Sequence, residues 1–125
     1  MSYILLVEDN RDHAHLIERT LTAAGYAVRH TELGSEAQQI ARSERPDLIL
    51  LDLDLPDVDG LEILPTLRRG LATQDQAAPP IIAVTGRTPT ENPHVVAAWL
   101  RKPFAPEALL HLIDEVLNVK VSKQL

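Results

Sequence analysis

Two groups of carboxylates each follow a short apolar run and are candidates for chemistry. The first group is Glu8 and Asp9, directly after the apolar residues 3–7. The second group contains Asp52, Asp54, Asp57 and Asp59, within the sequence DLILLDLDLPDVDG of residues 47–60. Carboxylate oxygens are the ligands that Mg²⁺ prefers in proteins. An acidic, solvated turn without function is the alternative for residues 52–60, because Pro and Asp are common loop formers. Asp57 and Asp59 are interpreted as turn residues that lead through Gly60 into the next helix.

The apolar run of residues 48–51 predicts a buried strand that ends at Asp52. Its side chains show no polar alternation, which is typical of a parallel strand covered by helices on both faces. In open α/β sheets, ligands bind at the carboxyl ends of the strands. Asp52 is therefore a candidate for chemistry on its position alone.

The rest of the chain predicts strands that alternate with helices. Further strands are expected at residues 3–7, 26–31, 81–85 and 98–101. Helices are expected between Asn10, as N-cap, and Gly25, and over residues 35–44, 61–70 and 106–119. Pro65 fits the third helix only if it lies near the first turn, where amides lack intrahelical partners. We expect a flavodoxin-like α/β fold, with a parallel sheet in the order 2-1-3-4-5 and helices on both faces.

This strand order would bring Glu8, Asp9 and Asp52 to one crevice, together with Thr85 and Lys102 at the ends of the next two strands. Three close carboxylates repel one another, so either a pKa rises or a cation is bound, and magnesium is the simplest cation. Lys102 and Thr85 offer a charge and a hydroxyl to a phosphoryl oxygen. The pattern predicts phosphoryl transfer to Asp52. The alternative is that Lys102 merely forms an ion pair that closes an acidic pocket.

Length and composition predict one domain over residues 1–125, without an output domain. The chain has 45% apolar and 24% charged residues, which is ordinary for a globular protein. It has no cysteine, which excludes disulfides and thiolate chemistry, and its first residues do not resemble a signal peptide. The formal charge of −6 disfavours direct contact with nucleic acid or anionic membranes. We therefore expect a cytoplasmic protein.

The whole chain resembles the receiver domain of two-component response regulators. The resemblance rests on Glu8-Asp9, Asp52 in LILLDLDLPDVDG, the threonine in IIAVTG, and Lys102-Pro103-Phe104. It implies phosphorylation of Asp52, with Mg²⁺ on Asp9, Asp52 and the backbone carbonyl of Asp54, and with Glu8 acting on the metal through water. It also implies that Lys102 contacts the phosphoryl group, that Thr85 moves to meet it, and that the Lys102–Pro103 peptide bond is cis.

The sequence departs from the receiver pattern after Thr85. Lys102 follows Thr85 by only 17 positions, so the helix that receivers usually have in this segment, their fourth, is expected to be shortened or irregular. Trp99 stands where the family usually has a Tyr or Phe that acts as a rotamer switch, and a simple core-filling or surface-covering role is the alternative. Asp54 and Arg87 occupy positions that often tune the phosphoryl lifetime. They could form an ion pair over the phosphoryl group, or be two independent loop charges.

The predicted function is that of a single-domain response regulator in a phosphorelay. Its expected partners are a sensor histidine kinase or a histidine phosphotransfer protein and a downstream protein that the sequence does not name; a homodimer is a further option. The strand followed by DLDLP also resembles the first motif of haloacid-dehalogenase-like phosphohydrolases, although Pro56 and the lack of a later acidic pair disfavour that enzyme class. A receiver that binds or dimerises without phosphorylation is a third possibility. Five histidines show no ligand spacing, and none is assigned to a metal.

Overall fold

Five parallel strands form a single sheet in the order β2-β1-β3-β4-β5 in a computed structural model that describes residues 2–57, 59–86 and 96–122. The elements are β1 (Ile4–Val7), α1 (Arg11–Ala23), β2 (Val28–Thr31), α2 (Gly34–Ser43), β3 (Leu48–Asp52), α3 (Gly60–Leu71), β4 (Ile81–Thr85), β5 (Ala98–Arg101) and α4 (Pro106–Ser122). The predicted flavodoxin-like fold and strand order are confirmed.

Alternating side chains of the strands build a separate apolar core on each face of the sheet. In β3, Ile49 and Leu51 belong to the core that α2 and α3 cover, whereas Leu48 and Leu50 belong to the core on the side of α1 and α4. All four side chains are fully buried. The continuous apolar run in the sequence is explained by this cover on both faces.

The α3 helix differs from the sequence-based expectation at Pro65. This residue is the sixth of the helix rather than part of its first turn, and the helix continues past Gly70 to Leu71. Proline lacks the amide that would bond one turn back, so the helix loses one internal hydrogen bond there. The buried side chains of Leu64 and Leu67 lie on either side of Pro65 in the sequence. Their burial stabilises the helix in spite of the proline.

Two further expectations concern the segments around β5. The strand itself has the predicted bounds. The shortened or irregular helix expected between β4 and β5 falls on residues 87–95, which lie outside the described residues. Within the described part of the chain, no helix combines the length and apolar character needed to cross a bilayer.

Candidate functional site

The carboxyl ends of β1, β3 and β4 carry three buried polar side chains at one edge of the sheet. Glu8 follows β1, and Asp52 and Thr85 are the last residues of β3 and β4; each is at most 3% exposed. The strand register aligns these ends, because Val7 pairs with Leu51 and the next residues along are Glu8 and Asp52. Buried charges are rare without partners, so their convergence marks this edge as the candidate site.

Three carboxylates and one ammonium group meet at this edge. One oxygen from each of Glu8, Asp9 and Asp52 lies within 4.8 Å of the others. The Lys102 Nζ atom is 3.0 Å from Glu8 Oε1 and 3.3 Å from Asp52 Oδ2. The Lys102 backbone is fixed by its amide, which donates to the Thr85 carbonyl at 2.8 Å. The structure thus brings together the residues for which the sequence predicted a common crevice.

The two buried carboxyl groups differ in their preference for a proton. Burial and a hydrogen bond with Glu8 raise the pKa of Asp52, against the opposing effect of the Asp54 amide. Burial also disfavours the charged form of Glu8, but hydrogen bonds with Asp52, His13 and Lys102 outweigh it and lower the pKa of Glu8. Asp52 is therefore the member of the pair that holds a proton more readily.

Lys102 remains positively charged in this site. Burial alone would lower the pKa of its ammonium group, but the hydrogen bond with Glu8 and the attraction of Asp52 raise it. One positive charge thus faces three carboxylates, which leaves an excess of negative charge at the site. The donor atoms offered by the acids are all oxygen, and this set suits a hard divalent cation such as Mg²⁺.

The aspartates that follow β3 have separate structural roles. The Asp54 amide donates to Asp52 Oδ1 at 2.9 Å and so orients that carboxylate. The Asp57 carboxylate accepts the amides of Gly34 (3.0 Å) and Ser35 (3.1 Å) at the start of α2. Sequence reasoning treated Asp57 only as a turn residue and missed this capping role. Asp59 lies in a one-residue bridge with Asp54 and leads into α3.

Gly60 is required where the loop after β3 turns into α3. A Cβ atom at this position would lie 2.5 Å from the backbone Cα of Leu53, so any side chain would displace the residue that follows Asp52. The Gly60 amide also donates to the Leu53 carbonyl at 2.9 Å. This close approach holds the loop against the end of β3 and fixes the direction of the chain beside Asp52.

Two histidines contact Glu8, and sequence reasoning identified neither as a site residue. His13 Nδ1 is 2.5 Å from Glu8 Oε1, and His30 Nε2 is 2.7 Å from the Glu8 backbone carbonyl oxygen. Spacing among the histidines does not reveal these contacts. The available signal for His13 is its place in the first turn of a helix that begins directly after the acidic pair Glu8-Asp9.

The structure describes only one of the two residues that were predicted to act as switch or tuning groups. Trp99 is partly buried and packs against the core under α2 and α3, and its indole Nε1–H has no hydrogen-bond acceptor among the described residues. Core filling is thus observed, and a switch role for Trp99 stays a prediction. Arg87 lies outside the described residues. The Lys102–Pro103 peptide bond is cis, as the resemblance implied.

These features define a flavodoxin-like α/β protein with an acidic crevice and a lysine at the carboxyl edge of its sheet. The family model of the response regulator receiver domain matches residues 4–114. The chain therefore belongs to the response regulator receiver family, whose members act in two-component signalling. This match supports the receiver prediction and not the phosphohydrolase alternative.

Similar proteins and structures agree with this assignment. The chain is 40% identical over 121 residues to the polar-differentiation response regulator DivK of Brucella anthropi, covering 92% of this chain and 95% of DivK. A CheY-like receiver domain from Methanospirillum hungatei has a TM-score of 0.84 at 26% identity, with 98% of both chains covered. The chemotaxis protein CheY4 of Vibrio cholerae has a TM-score of 0.81 at 30% identity, covering 93% of this chain and 98% of CheY4.

Proposed function

We propose that Asp52 accepts a phosphoryl group from the phosphohistidine of a sensor kinase or of a histidine phosphotransfer protein. The observation that carries this proposal is the position of Lys102 Nζ, within 3.3 Å of both buried carboxylates at the carboxyl edge of the sheet. In the transfer, an Asp52 oxygen forms a bond to phosphorus while the bond from phosphorus to the histidine nitrogen breaks. The electron pair of the broken bond leaves with the imidazole.

The residues of the site divide the tasks of this reaction. Asp9, Asp52 and the backbone carbonyl of Asp54 would hold Mg²⁺, with Glu8 acting through water. The bound metal would neutralise charge on the phosphoryl oxygens. Lys102 would add a second positive charge to the phosphoryl group, and the Thr85 hydroxyl would donate a hydrogen bond to it. The Asp54 amide keeps Asp52 Oδ1 in place at 2.9 Å while Asp52 Oδ2, the oxygen nearest Lys102, reacts.

The test of this proposal uses small donors that replace the kinase. The protein is incubated with acetyl phosphate and Mg²⁺, and its intact mass is measured. In a parallel sample, the binding of beryllofluoride is followed by the fluorescence of Trp99, the only tryptophan in the sequence. We expect one phosphoryl adduct on the wild type, none without Mg²⁺ and none on Asp52→Asn. Asp75→Asn changes an exposed loop aspartate in the same way and should react like the wild type.

The alternatives give different results in this test. A wild-type protein without an adduct, or an equal adduct on Asp52→Asn, would contradict the assignment of Asp52. Stable partner binding or dimerisation without any adduct would favour the phosphorylation-independent alternative. Continuous release of phosphate from many substrate molecules per protein would favour a phosphohydrolase. The self-catalysed nature of the transfer and the cytoplasmic location are parts of the same proposal.

We further propose that Asp54 and Arg87 set the lifetime of the phosphoryl group. Asp54 is exposed beside Asp52, and Arg87 follows Thr85 by two positions in the sequence. A pair of opposite charges over the phosphoryl group would hinder an attacking water molecule. Dephosphorylation of Arg87→Ala should then be faster than that of the wild type, as measured by loss of the mass adduct with time. An unchanged rate would mean that the two charges act independently.

A further inference from the structure

One carboxylate oxygen of Glu8 accepts hydrogen bonds from two side chains in this site. Both Lys102 Nζ, at 3.0 Å, and His13 Nδ1, at 2.5 Å, contact Glu8 Oε1. Lys102 is also 3.3 Å from Asp52 Oδ2, so its charge is shared between two carboxylates. The other Glu8 oxygen, Oε2, has a longer contact with the Asn10 amide, at 3.4 Å. His13 therefore makes the shortest of these contacts with Glu8.

His13 is held in place from two sides. Its backbone amide donates to the Asn10 side chain at 3.0 Å, in the N-cap of α1. Its ring packs against Phe104, with centroids 5.5 Å apart and planes tilted by 53°. Phe104 lies two residues after Lys102, on the same segment that follows β5. The imidazole is thus fixed between the start of α1 and the loop that carries the site lysine.

We propose that His13 is a positioning residue that keeps Glu8 hydrogen-bonded while Lys102 turns from Glu8 to a phosphoryl group on Asp52. This inference rests on the proposed phosphorylation of Asp52. A Lys102 ammonium group that turns toward phosphoryl oxygens on Asp52 would lengthen its 3.0 Å contact with Glu8 Oε1. Glu8 is 1% exposed, and a buried carboxylate that loses its donor carries a desolvation cost. With its proton on Nδ1, the imidazole of His13 continues to donate to Glu8 Oε1, which makes the movement of Lys102 easier.

Variants at position 13 separate hydrogen bonding from packing. His13→Phe retains a ring beside Phe104 but removes the donor, and His13→Gln retains a donor without the ring. We expect His13→Phe to lower the rate of phosphorylation at saturating acetyl phosphate and Mg²⁺ by about tenfold, the effect of losing one hydrogen bond to a charged group. The donor concentration at half-maximal rate should change little, and His13→Gln should restore most of the rate. His15→Phe, at an exposed histidine of the same helix, is the matched control.

Three results would overturn this role. A wild-type rate in His13→Phe would show that the donor is not needed. Equal loss in His13→Phe and His13→Gln would indicate packing against Phe104 rather than a hydrogen bond. A loss in His15→Phe as large as in His13→Phe would show that any aromatic residue on α1 disturbs the reaction. These outcomes all require a wild type that reacts, so a failure of the proposed function itself, with no wild-type adduct, is recognised separately.

Discussion

Asp57 should stabilise the protein by capping α2 from a distant loop. The residue at the N-cap position, Leu33, makes no side-chain capping bond, and the Asp57 carboxylate instead accepts the amides of Gly34 and Ser35. Loss of a capping side chain typically costs about 0.5–2 kcal/mol, and a negative charge at a helix N-terminus contributes within the same range. Because Asp57 is exposed, water competes for these amides. We therefore expect Asp57→Ala to lower the free energy of unfolding by about 0.5–1 kcal/mol.

This loss should be measurable as a thermal shift with a defined pH dependence. For a domain of this size it corresponds to a decrease in Tm of about 2–5 °C at pH 7. Burial alone would raise the pKa of Asp57, but hydrogen bonds from the amides of Gly34 and Ser35 and from the Ser35 side chain together outweigh it and lower the pKa. A lowered pKa in the folded state means that the stabilisation is complete above the ordinary carboxyl pKa of about 3.9 and is lost as the pH falls through the folded-state value.

The assay compares Asp57→Ala, Asp57→Asn and the wild type by circular dichroism melting between pH 3 and pH 7. The difference in Tm between Asp57→Ala and the wild type should become smaller below about pH 4. Asp57→Asn retains a neutral acceptor, so its Tm at pH 7 should lie between those of Asp57→Ala and the wild type. Asp75→Ala, which removes an exposed loop carboxylate, is the control for general charge effects. If Asp57→Ala melts with Asp75→Ala at pH 7, or if the gap does not depend on pH, the capping argument is wrong.

Two further predictions concern the core and the charge balance of the site. Leu67 in α3 is only 1% exposed, so Leu67→Ala should lower the free energy of unfolding in urea by about 2–5 kcal/mol. Leu16 is 54% exposed, and Leu16→Ala should stay within about 0.5 kcal/mol of the wild type. Similar losses in both variants would contradict the assigned core. Asp52→Asn should raise the Tm in Mg²⁺-free buffer at pH 7, because burial and Glu8 raise the pKa of Asp52 and its charge is unfavourable above that value. This gain should vanish below about pH 4, where the carboxyl group is protonated in the unfolded chain as well; a lower Tm for Asp52→Asn at pH 7 would refute the repulsion.

The sheet and most of the candidate site could be predicted from sequence because both depend on strand ends. Residues 48–51 contain no polar alternation, so the strand and its final acid follow from burial on both faces. Once the order of strands is chosen, Glu8, Asp52 and Lys102 must meet at one edge. The Pro65 expectation was wrong because it weighed backbone hydrogen bonding alone, whereas burial of Leu64 and Leu67 maintains the helix through the proline.

The features missed from sequence all depend on how loops and first helical turns are oriented. Asp57 binds amides 22 and 23 positions earlier, and nothing local in the sequence connects the two segments. His13 reaches Glu8 because α1 begins close to the end of β1, and the rotation of that first turn decides which side chain faces the carboxylate. Such orientations result from packing in three dimensions rather than from residue periodicity.

The register of β1 against β3 also affects how this protein can diverge or be redesigned. Val7 and Leu51 are paired and buried, and the buried acids Glu8 and Asp52 are their direct successors. A slip of one residue would exchange the side chains that a strand gives to the two cores and would shift its terminal acid along the neighbouring strand, so selection for stability alone preserves the spacing of the acids. Exposed positions such as Leu16 on α1 are free of this constraint. Surface substitutions could therefore change which proteins this chain binds while the acidic site at the sheet edge stays unchanged.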